Sequence, residues 1–549
     1  MDVKSTGLEI HEAVCRGALR GLESTSEALA EAEGAEARAW RAAIAAARLL
    51  VDPNAGKGPT PDELAAFAGE GPEVRRPANL ALVHLERAAL VAWDAEGLAA
   101  TRAVHAKLAP GLPEAELALR RADAWLRLMA GEVEGLEEVG KALYSEGSAA
   151  QDASMVIDAT LMRAMAALTS RDAEEAKALS RRASRMARTE GLRAERFLAS
   201  IVLARVRRRA GRPHLATRIL SAIAPIAPGL WQGWLRWERI LAGWRPRKDT
   251  KPAEVEQALL DAPDKPATRA ARALLRWLAA SSDGDREGFE AGRDGARAEA
   301  ARFVDMAQEA AALAAALDPA LDPDDCPEDV REWALGAVDE TPAGLHGIVG
   351  PPDGPADSTI AHVVCQPGRR PRRLLRVATP LLAAEGEIVR LQRTRLRRGR
   401  VDTAVAALAL AGEEGLADSA LFEKAYEFEF VSALHAGILD VLVHRMRARL
   451  EGAATVHRKS GTMCLEPHGV LVLPDPRCVE HVEDRLLRVI ARHGGITTRQ
   501  AAQELDVSVR TAQLALRRLL ASGDCVLNRD GRRVQYLVED TTFTEPTRY

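Results

Sequence analysis

The feature that most constrains this chain is a recurrence of short turns. Between residues 8 and about 312, apolar residues fall at three- and four-residue spacing, as in Leu117, Leu119, Ala122, Trp125, Leu126, Leu128 and Met129. That is the period of one helix face. The pattern breaks at WDAEG (93–97), AGEVEG (130–135), SRDAEEA (170–176), AGRPHLA (210–216), AGWRP (242–246) and SDGDREG (282–288). Measured between Asp94, Gly131, Asp172, Gly211, Gly243 and Gly284, the intervals are 37, 41, 39, 32 and 41 residues. Each interval holds two helices and a turn. A helical hairpin cannot bury its apolar face alone, so neighbours must stack into one continuous core. The expectation for 1–316 is an α-solenoid of helical hairpins.

Composition agrees with stacked helices. Aromatic residues make up only 4% of the chain while 47% is hydrophobic, so small aliphatic side chains carry the core. Trp231, Trp234 and Trp237 recur at helical spacing and are expected inside it rather than on a ligand platform. VDPNAGKGPTPDE (51–63) lacks the G-x-x-x-x-G-K-[ST] spacing and follows no strand, so it reads as a loop and not a phosphate cradle. No apolar run reaches the length of about 18 residues that a membrane span needs. The first residues have no signal-peptide core. Six scattered cysteines form no C-x-x-C pair. A cytoplasmic chain with free thiols, no zinc site, no cofactor and no membrane contact is the expectation.

Units such as LMRAMAALTSRDAEEAKALSRRA (161–183) resemble tetratricopeptide repeats. The resemblance implies a concave face that grips a peptide or protein partner, or that self-associates as a homodimer. A purely architectural array is the alternative.

Charge is unevenly spread. The net charge is −4 overall, yet from His346 onward 29 Lys+Arg face 25 Asp+Glu, and 27 of the 29 are arginine. Arginine's planar fork suits phosphates and base edges. Prolines and acids in LDPALDPDDCPED (317–329) end the helical array, and 317–359 reads as a linker. IAHVVCQ (360–366) and RRLLRVA (372–378) read as strands, followed by the arginine-rich EIVRLQRTRLRRGR (387–400).

Two stretches near the end carry further resemblances. Residues 405–467 resemble the winged-helix output domain of OmpR-type response regulators, and LDVLVHRMRARL (439–450) stands where that family has its recognition helix. Leu439, Val443, Met446 and Leu450 form its inner side. The resemblance implies DNA contact by His444, Arg445 and Arg447, with Arg458 and Lys459 on a wing turned by Gly461. Met463 stands where that family usually has tyrosine, and the receiver domain has no counterpart here. Residues 360–476 form this expected domain.

Residues 477–549 resemble the winged helix-turn-helix of bacterial transcription regulators. HVEDRLLRVIARHGG (481–495) is a first helix, Thr497 or Thr498 caps a second, and Ser508 caps a third. Asp506 stands where a left-handed backbone is needed. On the third helix Ala512, Ala515, Leu516 and Leu519 form the inner stripe, while Arg510, Gln513, Leu514 and Arg517 form the outer one. Arginine pairs with guanine and glutamine with adenine in a major groove. Ser508 and Val509 open the helix, whose amides suit a phosphate. CVLN and RRVQYLV form a hairpin through Arg529-Asp530-Gly531, with Arg529, Arg532 and Arg533 at its tip.

The expected fold is therefore mainly α, an N-terminal helical-hairpin solenoid followed by two small α+β winged-helix domains. The expected function is a non-enzymatic, DNA-binding transcriptional regulator acting on double-stranded DNA. The alternative is a scaffold or adaptor whose winged helices bind proteins.

Overall fold

The computed structural model describes residues 2–18, 23–170, 172–209, 213–242, 259–260, 262–283, 285–301, 303–317, 360–374, 388–391, 399–479, 482–493, 495–530 and 533–538, and it is mainly helical. The first part comprises α1 (Val3–Arg16), α2 (Glu23–Glu31), α3 (Ala35–Val51), α4 (Pro61–Ala65), α5 (Pro72–Val91), α6 (Ala95–Leu108), α7 (Pro113–Ala130) and α8 (Leu136–Ala149). It continues with α9 (Ala153–Thr169), α10 (Ala173–Thr189), α11 (Arg193–Arg209), α12 (Pro213–Ile223), α13 (Gln232–Leu241), α14 (Pro266–Asp283), α15 (Arg286–Ala300) and α16 (Val304–Leu317). The expected linker, 317–359, lies outside the described residues apart from its first residue, Leu317.

The acidic turns of the sequence are helix caps. Asp94, Asp152, Asp172 and Asp285 each accept from the backbone amide three residues on, at 2.9, 2.9, 3.0 and 3.0 Å. Each bond satisfies one of the donors that a helix start leaves unpaired. Gly131, at φ 81°, ends α7 in the left-handed conformation. Residues 52–60 are a loop, and Thr60 with Glu63 forms a capping box at α4. Small residues let helices approach: a Cβ at Gly292 would fall 2.7 Å from the Trp277 Cα, so α15 needs a glycine to lie against α14.

Sequence neighbours pair as hairpins, among them α5 with α6, α8 with α9 and α14 with α15. The array also closes on itself. Trp231 Nε1 donates to the Leu50 carbonyl at 2.9 Å, and the Ala267 amide donates to the Ala92 carbonyl at 3.0 Å. Trp93 lies 6.2, 5.4 and 6.0 Å from the rings of Trp234, Trp237 and Phe303. In an open stack each unit touches only its neighbours. Here α9 and α11 are buried over most of their length. Among the described residues, these contacts join helices far apart in the sequence.

Two buried ionic networks sit in this core. Arg87 pairs with Asp158 and, at 2.5 Å, with Glu195. Arg121 reaches Asp158 and Glu86 at 3.1 and 3.5 Å, and Glu86 accepts from His105 Nδ1 at 2.7 Å. Farther along, Arg205 and Arg208 share Glu238 and Glu309. Trp234 Nε1 and Trp237 Nε1 donate to those two carboxylates, each at 3.2 Å. Burial opposes the charge on Arg208, but the two carboxylates hold its guanidinium above the ordinary arginine range. Removing one partner of such a pair leaves an uncompensated buried charge.

The next elements are β1 (Ile360–Gln366), β2 (Arg369–Leu374), β3 (Ile388–Arg390), α17 (Arg400–Ala411), β4 (Leu416–Ala417), α18 (Asp418–Tyr426), α19 (Ser432–Arg449), β5 (Ala454–Lys459), β6 (Thr462–Pro467) and β7 (Val470–Val479). One sheet runs β2-β1-β7-β3, with β7 antiparallel to β1 and parallel to β3. A second runs β4-β6-β5. Val363, Cys365, Leu471 and Leu473 from the first sheet share one apolar cluster with Met463 and Leu465 from the second and with Leu408, Phe422 and Met446 from the helices. The second expected strand is described only as far as Leu374, and 392–398 lie outside the described residues.

The last elements are α20 (Val482–His493), α21 (Thr498–Glu504), α22 (Val509–Ala521), β8 (Val526–Asp530) and β9 (Arg533–Leu537). Leu486, Leu487, Ile490, Ala512, Leu516 and Leu519 form their core. This unit does not stand apart from the array. Leu215 of α12 belongs to the same apolar cluster, and Arg207 of α11 bonds Asp524 at 2.8 Å with both side chains only 1% exposed.

Candidate nucleic-acid interface

The third helix of the last unit is placed by its neighbours. Asp506 takes φ 51°, which turns the chain sharply between α21 and α22. Ser508 is the N-cap of α22, and its Oγ accepts from the Thr511 amide at 3.1 Å. Thr497 caps α21 and forms a capping box with Gln500. With Ala512, Ala515, Leu516 and Leu519 buried, the 3.6-residue period leaves Arg510, Gln513, Leu514 and Arg517 exposed on the opposite face. Ser508 and Val509 are exposed at the helix start. Among the described residues, neither Arg510 nor Arg517 has an ion-pair partner, whereas the neighbouring Arg518 bonds Glu483 at 2.8 Å.

The hairpin beside this helix closes on the backbone pair Asp530 and Arg533. Arg529 and Asp530, expected in the turn, are the last residues of β8, and Gly531 lies outside the described residues. Arg532 and the side chain of Arg533 lie outside the described residues, while Arg529 is exposed. The opposite end of α22 is the docked one. Leu520, Gly523, Cys525, Val526 and Leu527 line a cleft with Ala178, Arg181 and Arg185 of α10. The array thus covers the C-terminal end of α22 and leaves its N-terminal end open.

The middle helix, α19, has a different face. Leu439, Val443, Met446 and Leu450 are buried as the spacing requires, and His444, Arg445 and Arg447 are exposed. Arg447 Nε donates to the Val456 carbonyl at 3.3 Å, so part of its fork is spent on the hairpin backbone. The hairpin turns through Ser460 and Gly461, at φ 52° and 78°, the two left-handed residues that a two-residue hairpin turn needs. Lys459 is exposed. Arg458 was expected to meet phosphates, but its fork grips Asp418 and, at 2.7 Å, Asp440. These two hydrogen-bonded carboxylates raise its pKa above the ordinary arginine range.

The first half of α19 shows an apolar surface that the sequence reading passed over. Leu434 is 72% exposed, and Ile438, Val441, Val431 and Phe428 are exposed beside it. Glu423, Glu427, Glu429 and Asp440 are exposed nearby in sequence. An apolar face with acidic residues around it is ill suited to a polyanion. The signal was readable: Leu434, Ile438 and Val441 recur at four- and three-residue spacing, off the phase of the buried Leu439 row.

One group of possible metal ligands has no C-x-x-C spacing in the sequence. His11, Cys15 and His84 place their donor atoms within 4.8 Å of one another. Comparison with protein-family models, curated proteins and solved structures found no match for this chain.

Proposed function

We propose that this chain is a non-enzymatic regulator that binds double-stranded DNA through a winged helix-turn-helix formed by residues 482–538, with α22 in the major groove. One observation carries the reading: Arg510, Gln513, Leu514 and Arg517 form a single exposed face, and the two arginines have no acid paired to them among the described residues. Arg510 and Gln513 have the chemistry to read guanine and adenine edges, and Leu514 can meet a thymine methyl group. Ser508, Val509 and Arg529 lie where the phosphate backbone would flank the helix, at its N-terminus and on its hairpin.

The middle unit resembles a winged helix used for protein contact. Its α19 presents Leu434, Ile438 and Val441 to solvent, and Arg458 is already occupied by acids. The occupant that fits is a protein partner with an apolar ridge flanked by basic side chains. His444, Arg445 and Lys459 are left as accessory contacts. The array then serves as the frame holding the last unit, through Arg207 and Leu215. No helix among the described residues is long and apolar enough to cross a membrane. A cytoplasmic location fits a DNA-binding role.

The test is selection of random duplexes by the full chain, beside the double variant Arg510→Ala, Arg517→Ala. The reading expects enrichment of a motif by the wild type and none by the variant. Equal recovery of DNA by both, or none by either, would sink it.

A further inference from the structure

We infer that the array holds one thiophilic d10 cation, Zn2+ or Cu+, on His11, Cys15 and His84. His11 and Cys15 are four residues apart on α1 and so share one face of that helix. His84 meets them from α5, 73 residues away in sequence. The two imidazole Nε2 atoms are 2.8 Å apart, and Cys15 Sγ lies 3.8 Å from His11 Nε2 and 4.0 Å from His84 Nε2. Both histidines are buried and Cys15 is partly exposed, which gives an ion a way in past the thiol.

Bond lengths set what such a site needs. With metal–nitrogen bonds of about 2.05 Å and a metal–sulfur bond of about 2.3 Å, tetrahedral angles separate the nitrogens by about 3.4 Å and each nitrogen from sulfur by about 3.6 Å. Loading therefore parts the two rings by about 0.6 Å and draws the sulfur in by a few tenths of an ångström, both within the reach of small rotamer adjustments. Two imidazoles and a thiolate select zinc or cuprous ion over magnesium or calcium, which take oxygen ligands. Three ligands satisfy Cu+, while Zn2+ would add a water or a carboxylate as a fourth.

The surrounding charges are compatible with a cation. Glu195 acts electrostatically on both His11 and Cys15. Arg87, Arg121 and Arg16 also act on this region, but Arg87 is engaged by Asp158 and Glu195, Arg121 by Asp158 and Glu86, and Arg16 by Glu12. Binding is an exchange in which the Cys15 S–H bond breaks, the metal–sulfur bond forms, and one proton leaves to solvent with no change of oxidation state. Because α1 and α5 each supply ligands, the ion would pin the first helix of the array to its interior.

The experiment uses the full chain stripped with a chelator. Zn2+ is titrated against a chromophoric chelator, Cu+ against a cuprous-specific chelator without oxygen, and Co2+ serves as a spectroscopic probe. The expected result is one equivalent bound, a thiolate-to-cobalt charge-transfer band, and a higher melting temperature on loading. Cys15→Ser should abolish the band, and Cys15→Ser and His11→Gln should each weaken binding at least tenfold, about the loss that even an outer-shell change can cause. His84→Gln adds a third arm if its circular dichroism shows it folded. The Zn2+ and Cu+ titrations distinguish the two ions. Absence of stoichiometric binding by either, or equal binding by wild type and Cys15→Ser, would overturn the site and leave the histidines as a hydrogen-bonded core pair.

Discussion

Asp524→Ala tests how the last unit is held to the array. Asp524 and Arg207 face each other at 2.8 Å with both side chains 1% exposed, 317 residues apart in the chain. Removing the carboxylate takes from the buried Arg207 guanidinium the charge that Asp524 supplies at the interface, at a cost of up to about 3–5 kcal/mol. An internal control is Arg518→Ala, which breaks a pair whose arginine side chain is 75% exposed. Such a pair contributes no more than about 1 kcal/mol. Urea unfolding of the full chain measures the total. Hydrogen exchange at α12 and α20 shows whether the unit lifts off before the chain unfolds. If lifting off is cheaper than keeping the arginine buried without Asp524, the loss of stability is capped at the undocking free energy, and exchange at Leu215 and Leu486 rises sharply. The combined change Arg207→Met, Asp524→Leu should recover part of the loss, since the buried pair is then removed whole. A loss under 1 kcal/mol for Asp524→Ala, with exchange unchanged at α12, would refute the claim that this ion pair fastens the unit.

Three further outcomes follow from particular side chains. Arg510→Ala or Gln513→Ala should relax sequence preference by about 1–3 kcal/mol at one base position, while Arg529→Ala should weaken binding to all duplexes alike; selection of random duplexes separates the two effects. His362, half-buried in β1, has its pKa lowered to about 4 by desolvation first and by the charge of Arg390 second. Its unfolded form takes up a proton near pH 6.5, so the stabilisation is present above that value and is lost as pH falls toward 4. The loss is about 3 kcal/mol, and His362→Gln should flatten thermal melting measured across that range. Leu434→Glu with Ile438→Glu should leave duplex binding within about twofold while abolishing capture of a basic amphipathic partner peptide; an equal loss of DNA binding, read by gel shift, would place α19 on the duplex instead.

The elements that sequence periodicity reveals are those whose neighbours are local. The two faces of α22, the left-handed Asp506, the Gly461 turn and the buried Trp231, Trp234 and Trp237 all rest on spacing or on single-residue backbone preference. What escaped depends on distant partners. The run VLVLPDPRCV is a central strand because β1 and β3 flank it, although Pro474 and Pro476 argue against a strand when read alone. The closure of the array rests on Trp231 meeting Leu50 and Trp93 meeting Phe303, contacts that no repeat period encodes. The pairing of Arg458 with Asp418 and Asp440 likewise needed the helices and the hairpin in place before the arginine could be judged. His84 joins His11 and Cys15 only once α5 is brought beside them by the fold, 73 residues on in the chain.

The central claim is most directly tested by the salt dependence of duplex binding by the full chain. The logarithm of the association constant should fall linearly with the logarithm of salt, by about 0.9 for each phosphate neutralised, and Arg517→Ala with Arg529→Ala should make the slope shallower by about two phosphates. An association constant that does not change with salt, or a slope identical in the variant, would contradict it.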